Sequence, residues 1–484
     1  MSDTFFFYDL ETSGINPRTA RIMQFAGQRT DMNLKPIGEP VNVMIKLAPD
    51  SVPDPDAIMI TGITPQATLQ DGITEAEFVK MFLEEVATPG TIFTGFNTVR
   101  FDDEFMRCLM YRNFCDAYAW EWKDNRSRWD LLDVVRMTRA LRPEGINWPT
   151  GPNGEVTNRL ELLTHANGLD HQNAHDALND VYATIAVAEL IKKTQPKLFD
   201  YLLKLRNKQQ VKELVRPGKT FVYTSGKYPK ELQHTTVALM LAERPDGQGA
   251  FVYDLRHDPA PFLDKTPDQL AKAWQYSKDP DALRLPVKTL KYNRCPAVAD
   301  LAVLQKDRTE TLQRLQLDLP KAQTYAAQLT PAFIDKLYAA LQILDKDRPA
   351  YDDAQDVDAQ LYDGFMSGSD ATLMPQLCAA GPKEISRFTE SFHDKRLKEM
   401  VPLYKARNFP DSLSDEERTT WDKHCFERLL GGGEKSRMAR YFARLGELAE
   451  TADENKRFLL EELQLYGQAI MPIPDESGES EEEA

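Results

Sequence analysis

Phe5-Phe6-Phe7-Tyr8-Asp9-Leu10-Glu11-Thr12-Ser13-Gly14 opens on consecutive aromatic residues and closes on Ser-Gly, the pattern of a buried β-strand that ends at a turn. Asp9 and Glu11 interrupt the apolar run at a spacing of two. Side chains alternate across a strand, so both carboxylates leave the same face. Unpaired charge is expensive to bury, and a strand that aims two carboxylates one way needs something to neutralise them. A divalent metal is one answer, since Mg²⁺ takes oxygen ligands, usually a few carboxylates plus substrate phosphate. The competing reading buries Tyr8 and Leu10 and leaves Asp9 and Glu11 in water. The strand alone does not choose between them.

At 484 residues the chain is too long for one core, and about three domains is the natural division. The start of the sequence lacks the basic region and apolar centre of a signal peptide, and no apolar run reaches bilayer length. The five cysteines are scattered, without metal-site spacing. A reduced cytoplasm and no membrane association are expected. Net charge is −16, which argues against a polyanionic partner for the surface as a whole. Residues 475–484 contribute six acids and no base to it. A nucleic-acid enzyme with this balance needs a local basic groove.

After the opening strand, 21–29 and 40–47 read as two more strands, and three consecutive strands with short turns predict an antiparallel meander. Helical spacing of Phe78, Met81, Phe82 and Val86 predicts a helix over 74–86, followed by a short buried strand over 91–96. That order implies a mixed sheet flanked by helices. Asp102 then stands at the start of a helix just past a strand end, where open α/β sheets build sites; a first-turn acid favoured by the helix dipole is the plainer alternative. A further amphipathic helix begins near Leu178, with Asp180 in its first turn and His175 in the loop before it. A histidine there is either structural or a proton carrier.

Together, Asp9-x-Glu11-Thr12, Asn97-x-x-x-Phe101-Asp102 and His175-x-x-x-x-Asp180 resemble the three motifs of the DEDD superfamily of 3′-to-5′ exonucleases, in its histidine-containing branch. The likeness extends to the bacterial exodeoxyribonuclease I family through Trp129-Asp130-Leu131-Leu132-Asp133-Val134, residues 142–149, Asn173-Ala174-His175-Asp176-Ala177, residues 351–365 and Tyr404-Lys405-Ala406-Arg407-Asn408-Phe409-Pro410. It covers nearly the whole chain except the acidic tail. The resemblance implies an α/β fold: an RNase H-like mixed-sheet exonuclease domain, then an SH3-like β-barrel domain, then an all-α C-terminal domain. It implies a processive 3′-to-5′ exonuclease that degrades single-stranded DNA to 5′-mononucleotides in DNA repair and recombination. By the same resemblance, Asp9, Glu11, Asp102 and Asp180 hold two Mg²⁺ ions, with Mn²⁺ able to substitute, and His175 takes the proton of the attacking water. In two-metal sites one ion activates the water and the other stabilises the leaving oxygen.

Arginines and aromatics interleave from Tyr111 to Arg142, as single-strand binding requires, although an aromatic core explains the same pattern. The family likeness carries over Glu11, Arg107, Tyr118, Trp122, Arg136 and Arg159 as strand contacts. It also implies a partner, the bacterial single-stranded-DNA-binding protein, engaged through that protein's acidic C-terminal tail. A monomer is expected, because appended domains can wrap the substrate.

The domains are placed at 1–195 (exonuclease), 196–350 (SH3-like β, with strands over 221–224, 235–241, 250–255 and 285–290 and flanking helices) and 351–470 (helical). Residues 471–484 form an acidic tail too poor in apolar residues to fold. Residues 321–344 and 437–465 read as helical, and Ser414-x-x-Glu417 as a capping box. Nothing after residue 195 looks catalytic. RNA as substrate, or a strand-binding module without catalysis, stay open from the residues alone; only contacts at the 2′ position separate RNA from DNA.

Overall fold

The computed structural model describes residues 3–169, 176–275, 277–279, 281–304, 309–346 and 356–472. His175, residues 351–355 and the tail from 473 onward lie outside the described residues.

The opening stretch forms β1 (Thr4–Thr12), the central strand of a five-stranded sheet. β2 (Ile22–Thr30) and β3 (Val41–Met44) extend it antiparallel, as the meander predicts, while β4 (Thr91–Gly95) and β5 (Ser127–Asp130) join it in parallel, giving the order β3-β2-β1-β4-β5. Both faces of β1 are covered. Phe5 and Phe7 pack with Trp129, Leu131, Val181 and Ile185; Phe6, Tyr8 and Leu10 pack on the other side with Phe25, Phe78, Phe82 and Phe93. A fully buried phenylalanine contributes roughly 1.5–3 kcal/mol, so three in succession fix the register of this strand firmly. Gly27 is required opposite: a Cβ there would meet the Phe6 ring at 2.3 Å.

The helix predicted over 74–86 begins with a capping box between Thr74 and Glu77, runs as α-helix over Glu75–Met81 and widens to a π-turn over Phe82–Val86. The widened turn lets Phe82 reach both Phe93 and Trp120, at centroid distances of 5.7 and 5.8 Å.

The second sheet is wholly antiparallel, in the order β10-β6-β7-β8-β9, from β6 (Thr220–Thr224), β7 (Thr235–Glu243), β8 (Gly249–Asp254), β9 (Val287–Lys291) and β10 (Ala297–Asp300). β10 was not foreseen, because Ala-Val-Ala-Asp carries little β-branched or aromatic character. The helical stretch read over 321–344 is two helices, Leu319–Gln328 and Pro331–Lys346; Pro331, lacking an N–H, starts the second at no cost. The tract from Arg437 likewise divides into Arg437–Ala449 and Glu454–Ala469, where Asp453 caps the second by accepting from the Lys456 N–H at 2.9 Å. The box at Ser414 and Glu417 opens the helix Asp415–Leu430. Among the described residues no helix is long and apolar enough to cross a membrane.

The parts share their cores. One apolar cluster runs from Phe5 and Val134 into Phe221 and Val252, another joins Cys108, Tyr111 and Phe114 to Leu377, Met400 and Tyr404, and a third joins Met23 and Ile58 to Leu429 and Met438. A buried ionic network reinforces the second boundary. Asp358 pairs with Arg21 and, at 3.0 Å, with Arg407, which also grips Asp50; Arg428 donates to the Asp50 carbonyl at 3.0 Å.

Candidate active site and strand groove

The two acids of β1 follow Phe5 and Phe7 on their face, where the sheet meets the helix Ala177–Thr194. That helix is positioned by Asp176, whose side chain accepts from the Leu178 and Asn179 N–H groups, so Asp180 emerges in the first turn toward β1. One oxygen from each of Asp9, Glu11 and Asp180 lies within 4.8 Å of the others. The acids therefore do not stand in open water: Glu11 is only 8% exposed, and Asp9 is half-buried. A register shift between Glu11 and Thr12 bends the strand here, as bulges beside sites often do.

The electrostatics of this cluster ask for a cation. Burial first, and the neighbouring charges of Asp9, Asp180 and Asp176 next, push the Glu11 carboxyl up to about 9. Burial and then Asp180 raise Asp9 well above the usual carboxylate range. Three acids cannot all ionise at this spacing unless positive charge joins them. The oxygen-only donor set suits a hard divalent ion, so the residues fit a metal centre.

Asp102 opens the helix Asp102–Arg112 directly after β4, as expected. It is outside the trio within 4.8 Å, yet close enough that, after burial, Asp9 is the leading charge raising its carboxyl. Asp130 organises the turn beneath it. Its oxygens accept from the Asn97 N–H at 3.1 Å and the Val99 N–H at 3.2 Å, while also capping the helix Leu131–Leu141. The site thus sits at the carboxyl ends of two parallel strands.

Beside it runs a groove of ≈ 1430 Å³ walled by all three parts of the chain. Its lining brings ten lysines and arginines against four acids, the local basic surface that a chain of net charge −16 needs for a polyanion. Arg107, Tyr118 and Trp122 all line it. Tyr118 and Trp122 are 41% and 63% exposed, whereas Tyr111, Phe114 and Trp120 from the same stretch are buried. The interleaved segment is therefore core on one side and groove on the other. The Arg107 guanidinium lies 5.3 Å from the Tyr118 ring centroid and holds Glu121 through two hydrogen bonds of 2.7 and 3.0 Å.

Arg136 and Arg159 do not line this groove: Arg136 donates to Asp133 at 2.7 Å and Arg159 pairs with Glu161. Nor does Arg139, which is buried and donates to the Pro149 carbonyl at 3.0 Å. Sequence reasoning missed Lys204, Arg206, Arg244, Lys291, Arg294 and Tyr362, which the fold brings to the groove from four distant segments. Tyr362 lies in the family-like stretch 351–365 but carries no role there; the basic residues stand in no motif, and only a run such as Lys204-x-Arg206-x-Lys208 hinted at them.

The first turn of the helix Asp102–Arg112 joins site to groove: Asp102 feels Asp9, while Glu104, two residues on, lines the groove. A mixed sheet with acids converging at its strand ends, beside a basic groove, is nuclease architecture, and residues 6–188 match the exonuclease family. The protein is an exonuclease. Residues 206–342 match the exonuclease I SH3-like domain and residues 355–470 the exonuclease I C-terminal domain. The chain belongs to the exonuclease I family. It is 39% identical to exodeoxyribonuclease I of Haemophilus influenzae over 96% of this chain and 98% of that one. It is 40% identical to the Escherichia coli protein of that name over 87% and 89% of the two chains.

Among solved structures, E. coli exonuclease I with a dA16 oligonucleotide superposes with a TM-score of 0.91 at 38% identity, covering 97% of this chain and all (100%) of that one. A zinc-bound form of the E. coli enzyme with single-stranded DNA gives 0.90 at 38% identity, with the same coverage of 97% and 100%. A structure of SSB with exonuclease I and an inhibitor gives 0.87 at 36% identity, again over 97% and 100%.

Proposed function

We propose that this protein is a processive, Mg²⁺-dependent 3′-to-5′ exonuclease that degrades single-stranded DNA to 5′-mononucleotides in DNA repair and recombination. The convergence of Asp9, Glu11 and Asp180 within 4.8 Å carries the reading. Related enzymes crystallised with single-stranded DNA, one of them with zinc, support it. Asp9, Glu11, Asp102 and Asp180 would hold two divalent ions, Mg²⁺ by preference and Mn²⁺ as a substitute; such ions acidify a water and neutralise charge on the leaving oxygen. The acids hold the cluster open to the strand end, and His175 takes the proton of the attacking water. Glu11, Arg107, Tyr118 and Trp122 steer the terminal nucleotides, with Arg136 and Arg159 contacting strand beyond the groove. The division of labour follows the boundaries 1–195, 196–350, 351–470 and 471–484, catalysis lying in the first and strand retention in the next two.

The test is digestion of end-labelled single-stranded DNA, duplex DNA and RNA, with and without Mg²⁺. The expected outcome is mononucleotide release from single-stranded DNA alone, and only with metal. Comparable digestion of RNA, or cleavage in chelator, refutes the reading.

We further propose that the single-stranded-DNA-binding protein recruits this enzyme through its acidic C-terminal tail, as the SSB structure of a relative supports. Coated DNA should then be digested faster than DNA coated with a tail-less partner. The enzyme acts as a monomer in this scheme, which light scattering checks.

A further inference from the structure

All five cysteines carry free thiols, but they differ sharply in surroundings. Cys108 is buried beside Tyr111, Cys295 donates to the Arg128 carbonyl at 3.1 Å, and burial pushes Cys295 and Cys425 both up to about 12. Cys378 is the exposed one, near the C-terminal end of the helix Gly368–Ala379. Its thiol donates to the Asn113 carbonyl at 3.4 Å and lies 3.7 Å from that of Phe114. Those are the two residues preceding Cys115, on the opposite side of the boundary between the exonuclease and C-terminal domains. The two thiols are neighbours across it, each the leading influence on the other's proton affinity.

Packing holds this approach in place. Phe114 takes a left-handed φ of 55°, which turns the chain sharply after the helix Asp102–Arg112. Its ring is fixed against Phe392 at 5.5 Å and Tyr404 at 5.4 Å, both from the C-terminal domain.

We propose that Cys115 and Cys378 are a peroxide-responsive pair whose disulfide staples the exonuclease domain to the C-terminal domain. Exposure assigns the roles. Cys378 is exposed and Cys115 only partly so, so peroxide meets Cys378 first: Cys378 is the attacking thiol and Cys115 the resolving one. The Cys378 sulfur attacks one peroxide oxygen, the O–O bond breaks, and a water leaves with a sulfenic acid formed. The Cys115 sulfur then attacks the Cys378 sulfur, gives up its proton, and the S–O bond breaks to release a second water. Two thiols and one hydrogen peroxide give one disulfide and two waters, both sulfurs supplying the electrons. The staple acts just upstream of Tyr118 and Trp122, so it restrains the segment that presents both rings to the groove.

The test treats the full-length protein with one to two equivalents of hydrogen peroxide, alkylates it and maps the peptides without reduction. The expected first product is a cross-linked Cys115–Cys378 peptide, with titratable thiols falling from five to three and returning with dithiothreitol. Oxidation should raise the Tm of the wild type and leave that of Cys378→Ser unchanged. In Cys115→Ala, a dimedone adduct should collect at Cys378. Another pairing, an intermolecular disulfide, sulfinic acid at Cys378 as first product, or a cross-link with no rise in Tm each overturns the proposal.

Discussion

The Tyr362 hydroxyl donates to Glu104 Oε2 at 2.5 Å, tying the C-terminal domain to the helix that opens with Asp102. Glu104 Oε1 takes Arg107 Nη1 and Arg294 Nη2, both at 2.8 Å, so one carboxylate gathers groups from all three domains on the groove wall. Arg107 passes the connection to Glu121, Glu121 to Arg128, and Arg128 to Asp103, which accepts the Tyr8 hydroxyl at 2.5 Å. A continuous polar line thus runs from the groove to the strand that bears Asp9.

Tyr362→Phe removes only the outermost link of that line. A hydrogen bond to a charged acceptor is worth roughly 1.5–3 kcal/mol, and its loss frees one wall of the groove. The expected outcome is a native fold by circular dichroism with several-fold fewer nucleotides removed per binding event. Product length after adding a competitor trap is the measurement, and unchanged lengths would show that Glu104 and Tyr362 do not hold the strand.

Asp9→Asn, Glu11→Gln and Asp180→Asn should each abolish metal-dependent cleavage. The metal-free protein supplies a second readout. Its Glu11 carboxyl, raised to about 9, holds a proton that the unfolded chain releases near the ordinary glutamate value of 4.5. The folded state then binds more protons, so metal-free stability falls as pH rises through that interval. Melting in EDTA should show Tm declining from pH 5 to 9, and Mg²⁺ should restore it in the wild type. Glu11→Gln should flatten the decline and shrink the Mg²⁺ effect; a steep decline surviving in Glu11→Gln would place its origin elsewhere.

His175→Ala should lose roughly 10²–10⁴-fold in rate, the usual contribution of a general base, with strand affinity kept. Turnover near wild type at neutral pH removes His175 from the chemistry.

Most of this was legible in the sequence because β1 writes both its cores and its acids into ten residues. The period of two placed Asp9 and Glu11 on one face correctly. It could not show that the face they share with Phe5 and Phe7 is buried, since alternation alone looks the same in a strand with one wet side. The groove was half legible. Tyr118 and Trp122 stand in a dense aromatic stretch, but Arg244, Arg294 and Tyr362 reach it only through tertiary folding. Arg139, one of the arginines interleaved with aromatics between Tyr111 and Arg142, is instead a structural donor to backbone carbonyls. The ionic boundary around Asp358 was invisible, because its partner Arg21 lies 337 residues away and Arg407 reaches it from a separate helix.

Trp122→Ala should weaken single-strand binding by about 1–3 kcal/mol if its exposed ring stacks on a base. Lys208→Ala, from the groove lining, should lower the slope of log affinity against log salt by about 1, as removal of a phosphate contact does. Arg136→Ala discriminates further: held by Asp133 outside the groove, it should shift the salt slope only if strand continues past the groove. Fluorescence anisotropy across a salt series measures all three, and equal slopes for wild type and Lys208→Ala would exclude that contact.

The C-terminal domain is fixed to the exonuclease domain by more than a linker, and Asp358→Asn tests how firmly. Burial by itself would raise this carboxyl, but Arg21, Arg407 and Arg428 together hold it far below the usual carboxylate range. The charge is therefore needed by three buried guanidinium groups, and neutralising it leaves them without their shared partner. Breaking a buried pair from one side costs about 3–5 kcal/mol. Because the folded value is depressed, the contribution is complete above the unfolded carboxylate value of about 3.9 and is lost only as pH falls below it. The wild type should melt at nearly constant temperature from pH 8 to 5 as far as this boundary is concerned, then lose stability steeply below pH 4. Asp358→Asn should melt lower throughout and show a shallower acid limb. Salt should matter little, since buried pairs are poorly screened. The same boundary buries Tyr111, Phe114, Leu377 and Met400 in one cluster, so a chain cut near residue 194 exposes apolar surface and should aggregate where Asp358→Asn merely loosens. If the cut chain instead stays monomeric and melts cooperatively, the exonuclease domain needs neither the shared core nor the ionic network to hold its fold.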